Sequence, residues 1–359
     1  MIVVNREDLN KGLQWLGLSV SKDTTATMSR RVLKLTCDGS SLYGYTYDGE
    51  NNIRIKFCDC ADSFDVYIDY FNFTNFIKCC EGDVKLNVTD KALEIKSSNV
   101  KCKVPLYDPN VNIIRIPDPT NGNPTYNNDF NANFKLGTLK TVLDPTHTVD
   151  VYRKICFNDK VVAFNDNDAI FINTRVFDKN FLLNTKSVDI ICAIGTGKYS
   201  YKTMTEKSSD DSEIKKNHYL CIQHENINVS ILIDTSEYPY SELIDYINNI
   251  NGANVNISGS TLVKAINASQ LFKMTPMLIF NPKGIFLEIE SVGFVYKISN
   301  DPCNDVKILL TEDTAKKLCA ISDNMYIYYD NSYEYEGKIY NTLRCSSKDI
   351  EELISVSAG

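Results

Sequence analysis

The chain repeats itself. Across 359 residues one order of elements can be traced three times: a strand, a helix, a run of strands, a second helix and further strands. Repetition constrains a fold more than any single motif, because each copy must bury the same faces in the same way. The first copy opens on the strand Ile2-Val3-Val4. A helix follows with Arg6, Glu7 and Asp8 in its first turn and Leu9, Leu13 and Leu16 at helical spacing. Strands are expected at 32–37, 42–47, 53–57 and 64–68, a second helix over 70–80 closed by Gly82, and strands at 84–88, 93–96 and 100–104.

The second copy begins after a boundary rich in proline and glycine between Pro117 and Pro124. Its short helix over 136–143 is stopped by Pro145, and strands are expected at 151–157, 161–165 and 170–176. A helix over 187–194 ends at Gly195, and strands at 199–205, 219–224 and 229–233 complete the copy. The polar run from Glu206 to Asn217 reads as a solvated loop. The third copy starts with a strand at 253–257 and a helix capped by Ser258 or Ser260 that continues through Leu262, Ile266 and Leu271. Strands at 277–280, 285–289 and 294–298 precede a helix capped by Thr311 that runs to about Ile321, and strands at 325–329 and 338–344 end it. The first helices share a signature: Leu9-Asn-Lys11-Gly-Leu13, Leu139-Lys140-Thr-Val-Leu143 and Leu262-Val-Lys264-Ala-Ile266. The expected fold class is α+β, three repeated domains of two helices plus antiparallel sheets each, at 1–118, 128–244 and 250–359.

Composition narrows the chemistry. With 43% apolar and 23% charged residues the chain has a globular balance, and no run of about 18 apolar residues offers a membrane span. The start, MIVVNREDLNKG, lacks a signal peptide, so a cytoplasmic location is expected, with all twelve cysteines reduced and used as small core residues. No paired CxxC knuckles stand in the sequence, so no metal or other cofactor is expected. The net charge of −8 argues against a protein that coats nucleic acid over its whole surface, but not against one whose cations are gathered on one face. Asp166 and Asp168 are spaced like metal-binding carboxylates, yet only three histidines are present and no hydrolase or metalloprotease motif surrounds them. Gly195-Thr-Gly-Lys198 lacks the first glycine and the final hydroxyl residue of a phosphate loop, and reads as a turn after a helix. The chain is not expected to be an enzyme. Its wealth of Asn, Lys, Ile and Tyr suits an AT-rich genome, such as that of a phage.

Three short segments carry a family resemblance. Val20-Ser21-Lys22-Asp23-Thr24-Thr25 resembles the V-S-x-R-T-T-x-P stretch that ends the first helix of bacterial β-type DNA sliding clamps. Asp150-Val-Tyr-Arg-Lys-Ile155 with Phe164-Asn-Asp166-Asn-Asp-Ala-Ile170 resembles their D-V-R-Y-Y-L and T-D-G-H-R-L. Glu237-Tyr-Pro239-Tyr-Ser-Glu-Leu-Ile244 is similar to their F-P-D-Y-x-x-V-L. The chain departs from the pattern at Asn167-Asp168-Ala169, which replaces Gly-His-Arg, at the missing proline after the Thr pair, and in a tail, Ser346 to Gly359, that extends past the usual last strand.

The resemblance implies a homodimeric ring that encircles duplex DNA without regard to sequence and tethers a polymerase. Its helices would line the hole and its sheets form an acidic outside. Candidate DNA-binding residues are then Lys11, Lys78, Lys140, Lys186, Lys264, Lys273, Lys316 and Lys317 on helices, and Lys22, Arg30 and Arg31 on the loop after the first helix. DNA polymerase and clamp loader would dock by short peptides in a cleft walled by Ile155, Asn167, Ile170, Leu243, Ile244, Thr342 and Leu343. Ring closure would use the strand at 100–104 and the second helix of the first copy against the third copy of the next chain. The competing reading is a structural or virion protein built of β-rich repeats. The third copy, from Ala253 onward, argues against the two-domain, trimeric clamp type.

Overall fold

The computed structural model describes residues 1–23, 25–108, 125–133, 136–165, 168–207, 214–250, 253–320, 324–329, 333–335 and 338–357. The boundary expected between Pro117 and Pro124 lies outside the described residues. The first repeat runs β1 (Ile2–Asn5), α1 (Arg6–Leu16), β2 (Val32–Asp38), β3 (Ser41–Tyr47), β4 (Asn51–Asp59), β5 (Ser63–Asp69), α2 (Tyr70–Cys79), β6 (Asp83–Val88), β7 (Ala92–Lys96) and β8 (Lys101–Pro105). The second runs β9 (Asn128–Asn131), α3 (Leu136–Lys140), β10 (Lys154–Phe157), β11 (Val161–Phe164), β12 (Asp168–Ile172), β13 (Phe181–Asn184), α4 (Thr185–Ile194), β14 (Thr196–Lys207), β15 (Ile214–His224) and β16 (Ile227–Ile233). A connecting helix, α5 (Tyr240–Asn249), leads into the third: β17 (Ala253–Ser258), α6 (Gly259–Gln270), β18 (Met277–Asn281), β19 (Gly284–Ile289), β20 (Phe294–Ser299), β21 (Val306–Leu309), α7 (Glu312–Ala320), β22 (Asn324–Tyr329), the short β23 (Tyr333–Tyr335), β24 (Lys338–Ser346) and β25 (Ile350–Ser357). Two helices and antiparallel sheets thus recur in each repeat, the expected α+β class.

The residues divide into two compact units, 1–133 with 189–234 and 134–188 with 235–359, so the division cuts through the second repeat. In the first unit, one sheet has the order β5-β2-β3-β4-β16-β15-β14-β9 and another the order β1-β6-β7-β8. The second unit has the order β13-β10-β11-β12-β25-β24-β22-β17, with β23 beside β24, and a sheet of order β20-β19-β18-β21. The long sheets cross repeat boundaries by the same antiparallel pairing. β4 meets β16 with Ile55 opposite Ile227, and β12 meets β25 with Ile172 opposite Ile350. In each case the third strand of a repeat's first run takes the last strand of the repeat that follows. β20 and β8 hold these two positions at the ends of the series, and among the described residues each is an edge strand.

Local sequence explains the elements. Asn5 accepts hydrogen bonds from the Glu7 and Asp8 amides and so starts α1, whose Leu9, Leu13 and Leu16 are fully buried. Burial of each such leucine stabilises the fold by about 1.5–3 kcal/mol. Ser258 caps α6 through the Thr261 amide, and Thr311 accepts from the Thr314 amide at the start of α7. Gly195, at φ +73°, donates its amide to the Ile191 carbonyl and closes α4, a turn after a helix as read. Gly284 sits at φ +128°, where a Cβ would come within 2.2 Å of the Ser299 carbonyl oxygen, so only glycine fits that turn.

Several expectations need correction. Residues Asp150–Arg153 form a 3-10 turn rather than the start of a strand, and β12 stops at Ile172. The polar run 206–217 is not a plain loop: β14 and β15 extend into it, pairing Glu206 with Lys215 and Lys207 with Ile214. The terminal tail is structural, since β25 pairs with both β12 and β24. Cys37 and Cys60 are joined by a disulfide, not reduced; the turns that carry them are held together by hydrogen bonds from Gly39 to Asp62 and from Cys60 to Ser40. Among the described residues no helix is long and apolar enough to cross a membrane.

Candidate functional site

The candidate cations separate by the helix face they occupy. α1 buries Leu9, Gly12, Leu13 and Leu16, which leaves Lys11 exposed on the opposite face. α2, capped by Asp69, buries Tyr70, Phe73, Thr74 and Ile77 and leaves Lys78 exposed in its last turn, where a cation also suits the helix dipole. These two helices pack on one another within the first unit. In the second unit α6 packs on α7, buries Leu262, Ala265, Ile266 and Ser269, and exposes Lys264. Lys140 is exposed at the end of α3, and Lys186 is half-buried in the first turn of α4. Lys273 is exposed at φ +53°, in the turn after α6 rather than on a helix, and Lys316 lies on α7. Lys22 and Arg30 are exposed on the loop after α1. Arg31 is half-buried, its guanidinium 5.4 Å from the centre of the Phe71 ring. Thr24 lies outside the described residues.

Lys317 must be withdrawn from the cationic set. Its side chain and that of Asp168 are each only 6% exposed, and the ammonium lies 2.6 Å from the carboxylate. It ties α7 to the first residue of β12 and offers nothing to a polyanion.

The partner cleft is also redrawn by strand alternation. In the second unit, Cys156, Val162, Phe164, Ala169, Phe171 and Leu182 form an apolar cluster on one face of the β10–β13 region, and α5 lies on it through Ile247 and Ile250. Ile155 and Ile170 are the neighbours of Cys156 and Ala169 in sequence, so they point to the opposite face, where both are fully buried. Leu343, next to Arg344, is likewise fully buried. These three are core residues and not a wall. Leu243 and Ile244 are half-buried and pack on the cluster, and the Thr342 hydroxyl lies 3.3 Å from the Tyr246 hydroxyl of α5. Asp166 and Asn167 lie outside the described residues.

An aromatic rim surrounds this face. His147, Tyr152, Phe164 and Tyr238 make successive edge-to-face contacts at 4.4, 4.9 and 4.9 Å between ring centres. The Tyr238 hydroxyl donates to the Val162 carbonyl at 3.3 Å, and burial raises its pKa well above the usual range. Tyr240 accepts from the Lys160 amide, Arg344 donates to the Ile247 carbonyl at 2.9 Å, and its guanidinium lies 5.2 Å from the Tyr328 ring centre. Val151, Tyr152, Tyr238, Tyr240, Leu243, Ile244 and Tyr328 are all only partly buried here. Sequence reasoning passed over most of them. The available signal was the spacing of Tyr240, Leu243, Ile244, Ile247 and Ile250, which marks an amphipathic helix.

Burial pushes the Cys156 thiol under α5 up to about 12. It is therefore expected to resist alkylation at pH 8. An Ile247→Asp change, which places a carboxylate against the cluster, should make the Cys156 peptide alkylate at least tenfold faster, read by mass spectrometry. Equal rates in parent and variant would mean that α5 does not seal this face.

No protein-family model and no curated protein sequence matches the chain. Solved structures match it from end to end. The Helicobacter pylori beta clamp bound to a DNA ligase peptide has a TM-score of 0.71 at 14% identity, covering 99% of both chains. The C. crescentus beta sliding clamp has a TM-score of 0.74 at 10% identity, covering 99% of this chain and 98% of that one. The DNA polymerase III beta chain of Streptococcus pneumoniae gives 0.69 at 12% identity over 99% and 98%. With two helices and strands of two antiparallel sheets in each of three repeats, this chain has the fold of the DNA polymerase III beta sliding clamps, at a great distance in sequence.

Proposed function

We propose that the chain is a DNA sliding clamp: a scaffold rather than an enzyme, which closes with a second copy into a ring around duplex DNA and tethers a polymerase. The observation that carries this reading is the likeness of fold over 99% of the chain to clamps from several bacteria. The domains are the three covalent repeats, 1–118, 128–244 and 250–359. Two of the edge strands support closure. β8 and β20 are the strands left over when β4–β16 and β12–β25 have joined, so a second copy satisfies each chain's β8 with its own β20, head to tail. Beside β20 stands an exposed apolar patch of Leu271, Phe272, Met274, Val292 and Val295, of the kind that marks a contact surface.

Such a ring works by confinement, so its DNA contacts should be few, electrostatic and blind to sequence. Lys11, Lys78, Lys140, Lys186 and Lys264 with Lys22, Arg30 and Arg31 are the cations assigned to that surface; Lys273 and Lys316 are secondary. Polymerase and clamp loader are assigned to the aromatic rim around α5 by way of short peptides, the binding mode in which a few apolar anchors carry the energy. The place of action is the cytoplasm of a bacterium, or of a host infected by a phage. Changing Lys11, Lys140 and Lys264 together to glutamine should weaken duplex association. It should also lower the dependence of log affinity on log salt by roughly 0.9 for each phosphate no longer neutralised. An unchanged salt slope would remove these helices from the DNA surface.

A further inference from the structure

A cavity of about 300 Å³ lies wholly within the first unit, between α1 and the strand ends where β4 meets the turn from β15 to β16. Trp15, the only tryptophan of the chain, and Phe57 contribute two half-buried aromatic rings. Gly12 allows this arrangement: a Cβ there would stand 2.5 Å from the Phe57 ring, so the ring lies directly on the helix backbone. Lys11 is one helical turn before Trp15 on the same side of α1, and among the described residues it makes no ion pair. Lys56 adds a second ammonium, held 2.6 Å from the exposed Asp59 carboxylate. Asp8 and Glu225, the latter in a turn at φ +49°, supply carboxylate acceptors, and His224 completes the rim.

We infer that this cavity takes one base of single-stranded DNA, stacked on Trp15, with Lys11 and Lys56 at the neighbouring phosphates. Aromatic plates flanked by ammonium groups are how strand-binding proteins hold unpaired nucleotides. The acidic oxygens suit the exocyclic amines of a base edge. An apolar peptide anchor fits worse, because its burial would strip water from Lys11, Asp8 and Glu225 without pairing them. Duplex is excluded as well, since its bases are already stacked on each other. The inference rests on the clamp reading only for why a free strand would come near; the cavity itself is complete within one unit.

Trp15 is its own reporter. Its emission should be quenched, to saturation, by an oligodeoxycytidylate of about twelve residues, and much less by duplex of the same length. Trp15→Leu should lower the affinity for the fluorescein-labelled strand about tenfold, within the range expected for one base–aromatic stack. Lys56→Gln should lower it a few-fold while leaving the stack intact, and serves as a check should the first change disturb the fold. Absence of quenching at low salt, equal affinity of the Trp15→Leu protein, or quenching by an aromatic-anchored peptide in place of the strand would each overturn the assignment. The Trp15→Leu protein should still be trapped on circular duplex, so failure of strand binding and failure of the ring are read separately.

Discussion

Asp168→Asn is expected to cost the fold about 3–5 kcal/mol, the usual penalty for leaving one member of a buried ion pair alone. The Lys317 ammonium would then sit in a site that is 6% exposed, with a neutral amide 2.6 Å away in place of a carboxylate. The effect should be larger than that of removing an ordinary surface bridge such as Arg175 to Asp159, whose partners are both more than half exposed. Replacing both partners, Asp168→Leu with Lys317→Met, should recover most of the stability, because a buried pair barely offsets its own desolvation. Urea unfolding of the parent, the single variant and the double variant reads this directly. A single variant within about 1 kcal/mol of the parent would show that water reaches the pair. Asp168 is one of the three residues that stand where the family pattern has Gly-His-Arg. This chain has put at position 168 a carboxylate that anchors α7, so the residue serves the joint between the second and third repeats.

The second large effect is expected at the apolar patch beside β20. Leu271 is 83% exposed, and the Phe272 ring contacts Phe294 with 5.0 Å between centres. Leu271→Asp with Phe272→Asp should convert a dimer to a monomer by light scattering at micromolar concentration. Removing two central anchors, at about 2 kcal/mol or more each, raises a dissociation constant by roughly a thousandfold. Stability should change little, since neither side chain is buried within the chain. A parent that is monomeric, or a double variant that stays dimeric, would remove this patch and the β8–β20 pairing from the account.

The helices were the legible part of this sequence. Leu9, Leu13 and Leu16 fall at helical spacing and are fully buried in α1, Ser258 is the one of the two candidate serines that caps α6, and Thr311 caps α7. What was hidden depends on residues far apart in sequence. β25 looks like a tail because Glu351 and Glu352 break its apolar run, yet β12 and β24 on either side make it an inner strand. β9 and β21 are four-residue edges: Asn-Asp-Phe-Asn is poor in strand-forming residues, and Val-Lys-Ile-Leu is too short for its alternation to stand out. For the candidate site, charge and position pointed equally to Lys264 and to Lys317. Only tertiary structure separates a lysine on the solvent face from one buried against Asp168. Ile155 and Ile170 show the same limit. A shift by one residue moves a strand side chain to the other face, and a short apolar run does not reveal which face is which.

The most direct test of the ring is topological. The protein is loaded on a closed circular duplex, washed in high salt to strip electrostatic contacts, and the circle is then cut once. A protein that encircles DNA stays on the circle and leaves when it is cut; one that stays bound to the linear product, or washes off the intact circle, is not a sliding clamp.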